Sequence, residues 1–265
     1  GIEDIDFLFP DAKTITATPE FLSRRMPWVS KVLGGVKHSP IARIKSVVAD
    51  ITADEARAKG YVKGNVKKDE IIKLLKRVTN PTTIYKKQKL DRDDIVDITD
   101  LDVVAWLKAE MRLMLDEELA RAILIGDGRE ADDPDKINED HIRPIATDND
   151  MYTEKITLAS NASPAAFEEA ILRSRAKYRG SGTPDLFTTD ENLTDLLLQK
   201  DTTGRRIHAS EAELAASLRV ASTTVVDVME DSAGLLAVIV SLPDYTIGAD
   251  KGGQLGMFDD FDIDY

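Results

Sequence analysis

Apolar side chains recur every three to four positions between Val103 and Ile123: Val103, Val104, Trp106, Leu107, Met111, Met114, Leu115, Leu119, Ala122 and Ile123. That spacing predicts one long α-helix. Thr99 or Asp100 can cap its free N–H groups, Asp102 adds negative charge to the first turn, and Gly126 supplies a stop. The predicted helix has roughly 25 residues and spans about 37 Å at a rise of 1.5 Å per residue. It exceeds the average globular helix and would serve as a beam against which several elements pack. A second helical pattern starts at the cap Ser163, has Pro164 in its first turn, and runs toward Gly180 with Phe167, Ala170, Ile171 and Tyr178 on its apolar side. Pro184 to Thr189 predicts a strand, and Asp190 caps a helix carrying Leu193, Leu196 and Leu197. Ser210 with Glu213 forms a capping box for a helix reaching about Leu218, and Thr224–Met229 and Leu235–Val240 predict strands.

The first 40 residues follow no such period. Pro10, Pro19, Pro27 and Pro40 interrupt any long helix, and short apolar clusters (Ile5, Phe7, Leu8, Phe9; then Met26, Trp28, Val29) predict an extended arm lying on its own body or a neighbour's. Ile44, Val47, Val48 and Ile51, then a basic stretch punctuated by Gly60 and Gly64, then Val78 to Tyr85 around Pro81, predict a long hairpin with a polar middle. Ile71, Ile72, Leu74 and Leu75 suggest a short helix within it. Asp127 to Asp150 is acidic and aperiodic, a predicted loop. At the end, Phe261, Ile263 and Tyr265 alternate with Asp260, Asp262 and Asp264, the pattern of a half-buried strand cut off while still running. Helices and strands interleave without regular βαβ spacing and no repeat is visible, so the fold class is α+β.

Composition narrows the function. With 265 residues, 42% hydrophobic and 31% charged, the chain is long enough for a sizeable core and is not disordered in composition. Its longest apolar run, Leu235 to Val240, is strand-sized and far short of a membrane span, so no membrane partner is expected. The acidic start Gly1-Ile2-Glu3-Asp4 is no signal peptide, and without Met it reads as a trimmed, processed or cloned piece. The absence of cysteine excludes disulfides and thiolate chemistry and fits a reducing cytoplasm.

A net charge of −13 argues against a general nucleic-acid binder. Its distribution is uneven: residues 57 to 92 hold twelve Lys or Arg and three acids, so this segment carries +9 and the rest of the chain −22. The segment reads either as a solvated basic loop or as one that docks on the acidic face of another copy.

Catalytic constellations are missing from the sequence. His38, His141 and His208 stand far apart, none at metal-ligand spacing with an acid, and each reads as a surface or packing residue. No nucleophile elbow, phosphate loop or dinucleotide fingerprint occurs. Gly126-Asp127-Gly128 follows a helix, the reverse of the phosphate-binding order. Calcium-loop spacing fails at Ile95 in the Asp91/Asp93 stretch and at Tyr152 after Asp148-Asn149-Asp150, while Asp132, Asp133 and Asp135 read as a solvated loop. The expectation is no catalytic residue, no metal and no cofactor.

Two stretches resemble one family. Leu101-Asp102-Val103-Val104 through Asp116-Glu117-Glu118-Leu119-Ala120-Arg121-Ala122-Ile123-Leu124-Ile125-Gly126-Asp127-Gly128 is similar to the spine helix and following turn of tailed-bacteriophage (or prophage) major capsid proteins. Pro243-Asp244-Tyr245-Thr246-Ile247-Gly248-Ala249-Asp250-Lys251-Gly252-Gly253, continuing through Phe258 to Tyr265, resembles the family's C-terminal β-region. The resemblance runs over nearly the whole chain. It implies an N-terminal arm (1–42), an extended β-hairpin loop (43–94), a peripheral domain (95–150, with the spine helix at about 100–125), an axial domain (151–242) and a return to the peripheral sheet (243–265). It also implies self-assembly into hexamers and pentamers of an icosahedral shell around double-stranded DNA, with the DNA contacted non-specifically. Scaffold, head protease and portal proteins would be further partners, and the location would be the virion, assembled in the host bacterial cytoplasm.

The extended loop would reach over a neighbour, which makes Lys63, Lys67, Lys68, Lys73, Lys86, Lys87 and the arm's Trp28 the inter-subunit contact candidates. Some family members crosslink a loop Lys to a neighbour's Asn, but no motif here singles out Lys63, Lys67 or Lys68 for that role. Family members commonly continue past the point where Tyr265 stands, and many carry an N-terminal scaffolding segment not visible here. The competing readings are a nanocompartment (encapsulin-like) shell, a metal-dependent enzyme with an acidic site, and a nucleic-acid module. The last needs aromatics interleaved with the basic residues, and only Tyr61 and Tyr85 qualify.

Overall fold

Pro27 occupies the first turn of a helix, where its missing N–H costs nothing and its fixed φ is already helical. This helix, α1 (Pro27–Gly35), corrects the reading of residues 27–35 as extended arm. Trp28, Val29 and Val32 share its buried side, and that packing outweighs the proline punctuation. The computed structural model describes residues 26–50, 73–86, 103–159, 162–232 and 234–249. The elements that follow are β1 (Lys37–Ser39), β2 (Ile44–Asp50), β3 (Lys73–Thr79), α2 (Val103–Leu124), α3 (Pro164–Lys177), β4 (Asp185–Thr188), α4 (Asp190–Leu197), α5 (Glu211–Leu218), β5 (Thr223–Val225), β6 (Ala237–Val240) and β7 (Thr246–Gly248), with short 3-10 turns at Asp227–Met229 and Leu242–Asp244. The mixture of helix and sheet is the α+β class expected. The chain divides into two compact units, Gly1–Val36 with Thr83–Asp244, and Lys37–Thr82 with Tyr245–Tyr265.

The first unit is organised around β4, the middle strand of a sheet ordered β5-β4-β6, parallel to β5 and antiparallel to β6. Leu186, Phe187 and Thr188 are each 0% exposed, so consecutive side chains, which point to opposite faces, are both covered. Leu186 joins Phe167 and Ile171 of α3, Leu193 and Leu196 of α4, and Leu214 and Leu218 of α5 in one core cluster. Each such side chain contributes about 1.5–3 kcal/mol on burial. Phe187 lies under the Lys31 ammonium of α1, 5.5 Å from the ring centroid, and the same ammonium meets Asp185 Oδ1 at 2.9 Å and Thr224 Oγ1 at 2.8 Å. Thr188 Oγ1 donates to the Leu236 carbonyl at 2.7 Å, which satisfies the one hydroxyl buried in the middle of the sheet.

The long helix is present. Val103 to Leu124 is helical, its predicted capping residues lie outside the described ones, and its last turn (Ala122, Ile123, Leu124) is buried. Gly126, at φ 95°, ends it in a conformation that favours glycine. The terminal carbonyls of Ile123 and Leu124 accept the backbone N–H groups of Ile145 (2.8 Å) and Ala146 (2.9 Å), so the 127–150 segment folds back to finish the helix. Ser163 caps α3 through the Ala166 N–H, and Ser210 caps α5 through the Glu213 N–H, as expected. The reciprocal arm of that box reaches one residue further back, from the Ala209 N–H to Glu213 Oε2 at 2.9 Å.

Three local expectations need correction. The cap of α4 is Thr189, whose hydroxyl accepts from the Asn192 N–H, and Asp190 sits inside the first turn. The strand predicted over 224–229 ends at Val225 and tightens into the turn Asp227–Met229. Val226 and Met229 are both buried; three residues apart, they would face opposite ways on a strand but share a side of a 3-10 turn. The short helix suggested around residues 71–75 is not seen at Leu74 and Leu75, which belong to β3, while Ile71 and Ile72 lie outside the described residues.

In the second unit β1 pairs in parallel with β7, Lys37 opposite Thr246 through Ser39 opposite Gly248. A Cβ on Gly248 would collide with the Ile41 carbonyl oxygen and stand 3.1 Å from that of Ala42, both backbone atoms unable to rotate away. Gly248→Ala should therefore lower stability by about 1–3 kcal/mol, read as a loss in thermal midpoint.

Candidate functional site

The candidate surface is the β2–β3 ribbon of the second unit. β2 and β3 pair antiparallel from Ile44 opposite Thr79 to Asp50 opposite Lys73. The pairing is the expected hairpin, but its second strand runs Lys73–Thr79 where Val78 to Tyr85 was expected, and residues 80–86 are irregular. Residues 51–72 lie outside the described ones. Lys45 and Val47 stand opposite Val78 and Lys76, and Ser46 stands opposite Arg77. Apolar and cationic side chains therefore mix across the ribbon. Val47 is 54% exposed, Leu74 66% and Leu75 42%. Among the described residues no third strand joins the pair. A two-stranded ribbon cannot bury its own side chains, and exposed apolar residues beside cations suit contact with an acidic, partly apolar surface.

Of the seven contact candidates, Lys63, Lys67, Lys68 and Lys87 lie outside the described residues. Lys73 opens β3, and Lys86 is exposed beyond its end. Trp28 is 1% exposed and forms part of the interior of the first unit. Its indole N–H has no hydrogen-bond partner among the described residues.

Sequence reading missed a buried charge centre after the long helix. Asp127, expected in an acidic, irregular loop, is 4% exposed. Its Oδ2 accepts the Ile137 N–H at 2.6 Å and faces Arg129 Nη1 at 3.3 Å, while Oδ1 accepts from the Arg129 N–H at 3.2 Å and from Lys136 Nζ at 3.4 Å. Arg129 also reaches Glu118 of α2 at 2.8 Å. Burial alone would raise the carboxyl's pKa; the Ile137 and Arg129 N–H groups and the Lys136 cation outweigh it and hold it below the usual carboxylate value. The available signal was Asp between two glycines with Arg129 two and Lys136 nine residues on, too loose a spacing to read.

A second knot joins two turns of the same unit. Ser181 gives its N–H and its hydroxyl to Asp244, each at 2.6 Å, while Arg175 stacks on Tyr178 at 4.5 Å. Burial and the Asp244 charge raise the Tyr178 phenol above its ordinary value. Of the histidines, His208 is buried against Glu168 at 3.1 Å, a packing role as expected. His38 lies on exposed β1 and His141 in the 127–150 segment. A depression of 490 Å³ on that segment is lined by Ala131, Asp133, Lys136, Asn138, Glu139 and Asp140. Among the described residues no group of His, Asp and Glu could hold a metal, and no helix is long and apolar enough to cross a membrane.

The described fold comprises a long helix, a three-stranded sheet packed by helices, and a two-stranded ribbon. The chain matches the capsid of a native GTA particle with a TM-score of 0.58 at 12% identity, over 88% of this chain and 80% of that one. It matches the capsid of an empty GTA particle with a TM-score of 0.53 at 14% identity, over 91% and 84%. At these identities the likeness is one of fold. No family model and no curated protein matches the sequence.

Proposed function

We propose that this chain is a major capsid (head) protein, the self-assembling subunit of an icosahedral phage or prophage shell around double-stranded DNA. The observation that carries the reading is the capsid fold, matched over 88% of the chain. In this reading α2 is the spine helix of a peripheral domain (95–150 with 243–265), residues 151–242 are the axial domain that forms hexamers and pentamers, and residues 43–94 are the extended loop. Residues 1–42 would supply the N-terminal arm. The +9 charge of residues 57–92 on an otherwise acidic chain supports docking of that loop on a neighbouring copy, where charge complementarity favours orientation more than affinity. Scaffold, head protease and portal proteins are the further partners, DNA is contacted without sequence preference, and the virion is the location, reached by assembly in the bacterial cytoplasm. The role is structural, with no catalytic residue.

Negative-stain microscopy with light scattering on the concentrated protein tests the reading; closed shells or capsomer rings are expected, and a monomer at every concentration would sink it. A cargo enzyme copurifying inside the shells would point to a nanocompartment instead. Reversing Lys63, Lys67, Lys68 and Lys73 to Glu should leave the far-UV circular dichroism unchanged and abolish assembly. Normal shells from that variant would refute the docking of the loop.

A further inference from the structure

We propose that residues 200–207 form a stiff basic tongue that docks on the exposed acidic face of α4 in a second copy of this chain. The inference rests on the shell-subunit reading only in supposing that other copies are at hand.

The segment between α4 and α5 is a small hairpin. Lys200 and Arg206 form a β-bridge, the Asp201 N–H donates to the Arg205 carbonyl at 2.8 Å, and Ile207 N–H to that of Gln199 at 3.0 Å. Asp201 Oδ1 holds the tip by accepting from the Thr203 N–H, the Thr203 hydroxyl and the Arg205 N–H at 2.8, 2.6 and 3.0 Å. Both ends of the segment are fastened to one carboxylate of α3: Gln199 Nε2 lies 3.3 Å from Glu168 Oε2, and buried His208 lies 3.1 Å from Glu168 Oε1. Every residue from Lys200 to Ile207 is nonetheless exposed. A projection already ordered in this way loses little entropy on binding.

Its charges lack an internal use. Lys200 and Arg206 stand directly opposite each other, where like charges destabilise a strand pair. With Arg205 they make three cations without an ion-pair partner among the described residues, and the tongue's one acid, Asp201, is engaged in the turn. The complement lies on the helix just before. Asp190, Glu191 and Asp195 of α4 are exposed and likewise unpaired among the described residues. Leu198 and Ile207, each 47% exposed, add apolar surface at the tongue's base. No Phe, Tyr or Trp occurs between Leu198 and Ser210 for bases to stack on, His208 is buried, and the α4 acids would repel phosphate, so a protein surface is favoured over nucleic acid. A chain that carries both halves of a charge match, neither paired among the described residues, presents each to the other half on a second copy.

A charge swap tests this, read by sedimentation velocity of the full chain at low salt, with circular dichroism melts confirming the fold of each variant. Lys200→Glu with Arg205→Glu and Arg206→Glu should weaken self-association by about tenfold or more. Glu191→Lys with Asp195→Lys should do the same; Asp190 is left in place because a cation so early in the helix opposes its dipole. A chain carrying both sets should regain association, as should an equimolar mixture of the two. Should a reversed set fail to fold, the neutral set Lys200→Gln, Arg205→Gln and Arg206→Gln carries the same expectation. Shells that form normally from the tongue variant would overturn the contact and leave the shell reading intact. A wild-type chain that stays monomeric would overturn both. Loss of binding to a double-stranded DNA fragment with self-association unchanged would overturn the contact in favour of nucleic acid.

Discussion

Asp127→Ala should destabilise the protein by about 3 kcal/mol, because it takes a buried acceptor from two backbone N–H groups and from two cations. At about 2–4 °C per kcal/mol for a chain of this size, the thermal midpoint should fall by roughly 6–12 °C. The N–H groups are those of Arg129 and Ile137; Arg129 keeps its contact with Glu118, and Lys136 keeps Glu139 and the Arg129 carbonyl. The same carboxylate predicts a pH dependence. Its folded-state pKa lies below the ordinary 3.8, so the folded protein holds that proton less tightly than the unfolded chain does. The stabilisation is complete above pH 3.8 and is lost as pH falls through the folded-state value. Asp127→Asn should flatten that acid limb of the stability curve, measured by chemical denaturation at a series of pH values. An acid limb identical to the wild type's would assign it to other carboxylates.

Trp28→Ala should cost about 3–5 kcal/mol, the range for deleting a large buried aromatic. The site of the loss distinguishes the two readings of this residue. As an inter-subunit contact, its removal would weaken assembly and leave the unassembled subunit as stable as before. As an interior residue at 1% exposure, its removal lowers the melting temperature of the unassembled subunit itself. Trp28→Phe should cost less, since it keeps most of the apolar contact and removes an indole N–H that has no acceptor among the described residues. Equal melting temperatures for wild type and Trp28→Ala would return the residue to the surface.

Much of the candidate site was legible because charge and register are local properties. The +9 of residues 57–92 is a count, and the β-rich pattern from Ile44 predicted the strand at Ile44–Asp50; its partner was expected at Val78 to Tyr85 but runs Lys73–Thr79. The tongue between α4 and α5 was not legible: Lys200, Arg205 and Arg206 look like any solvated loop until the bridge between Lys200 and Arg206 sets two cations opposite each other. The capsid fold was likewise legible as two motif-like stretches far apart, and the match to solved capsids bears it out as fold.

The sequence alone determined what short-range physics governs. It set the long helix of apolar period ending at Gly126, the caps Ser163 and Ser210, and the central strand at Asp185–Thr188. Each depends on residues within a turn or two of one another. Tertiary structure decided what depends on partners distant in the chain. The parallel pairing of Lys37–Ser39 with Thr246–Gly248 joins segments from opposite ends of the sequence. Trp28 became a core residue because α1 packs against α2 and the turn at Leu242–Asp244. Asp127 became a buried anion because Ile137 and Lys136 return to meet it. An isolated aromatic or carboxylate carries no mark of its destination, because burial is settled by which distant surface arrives to cover it.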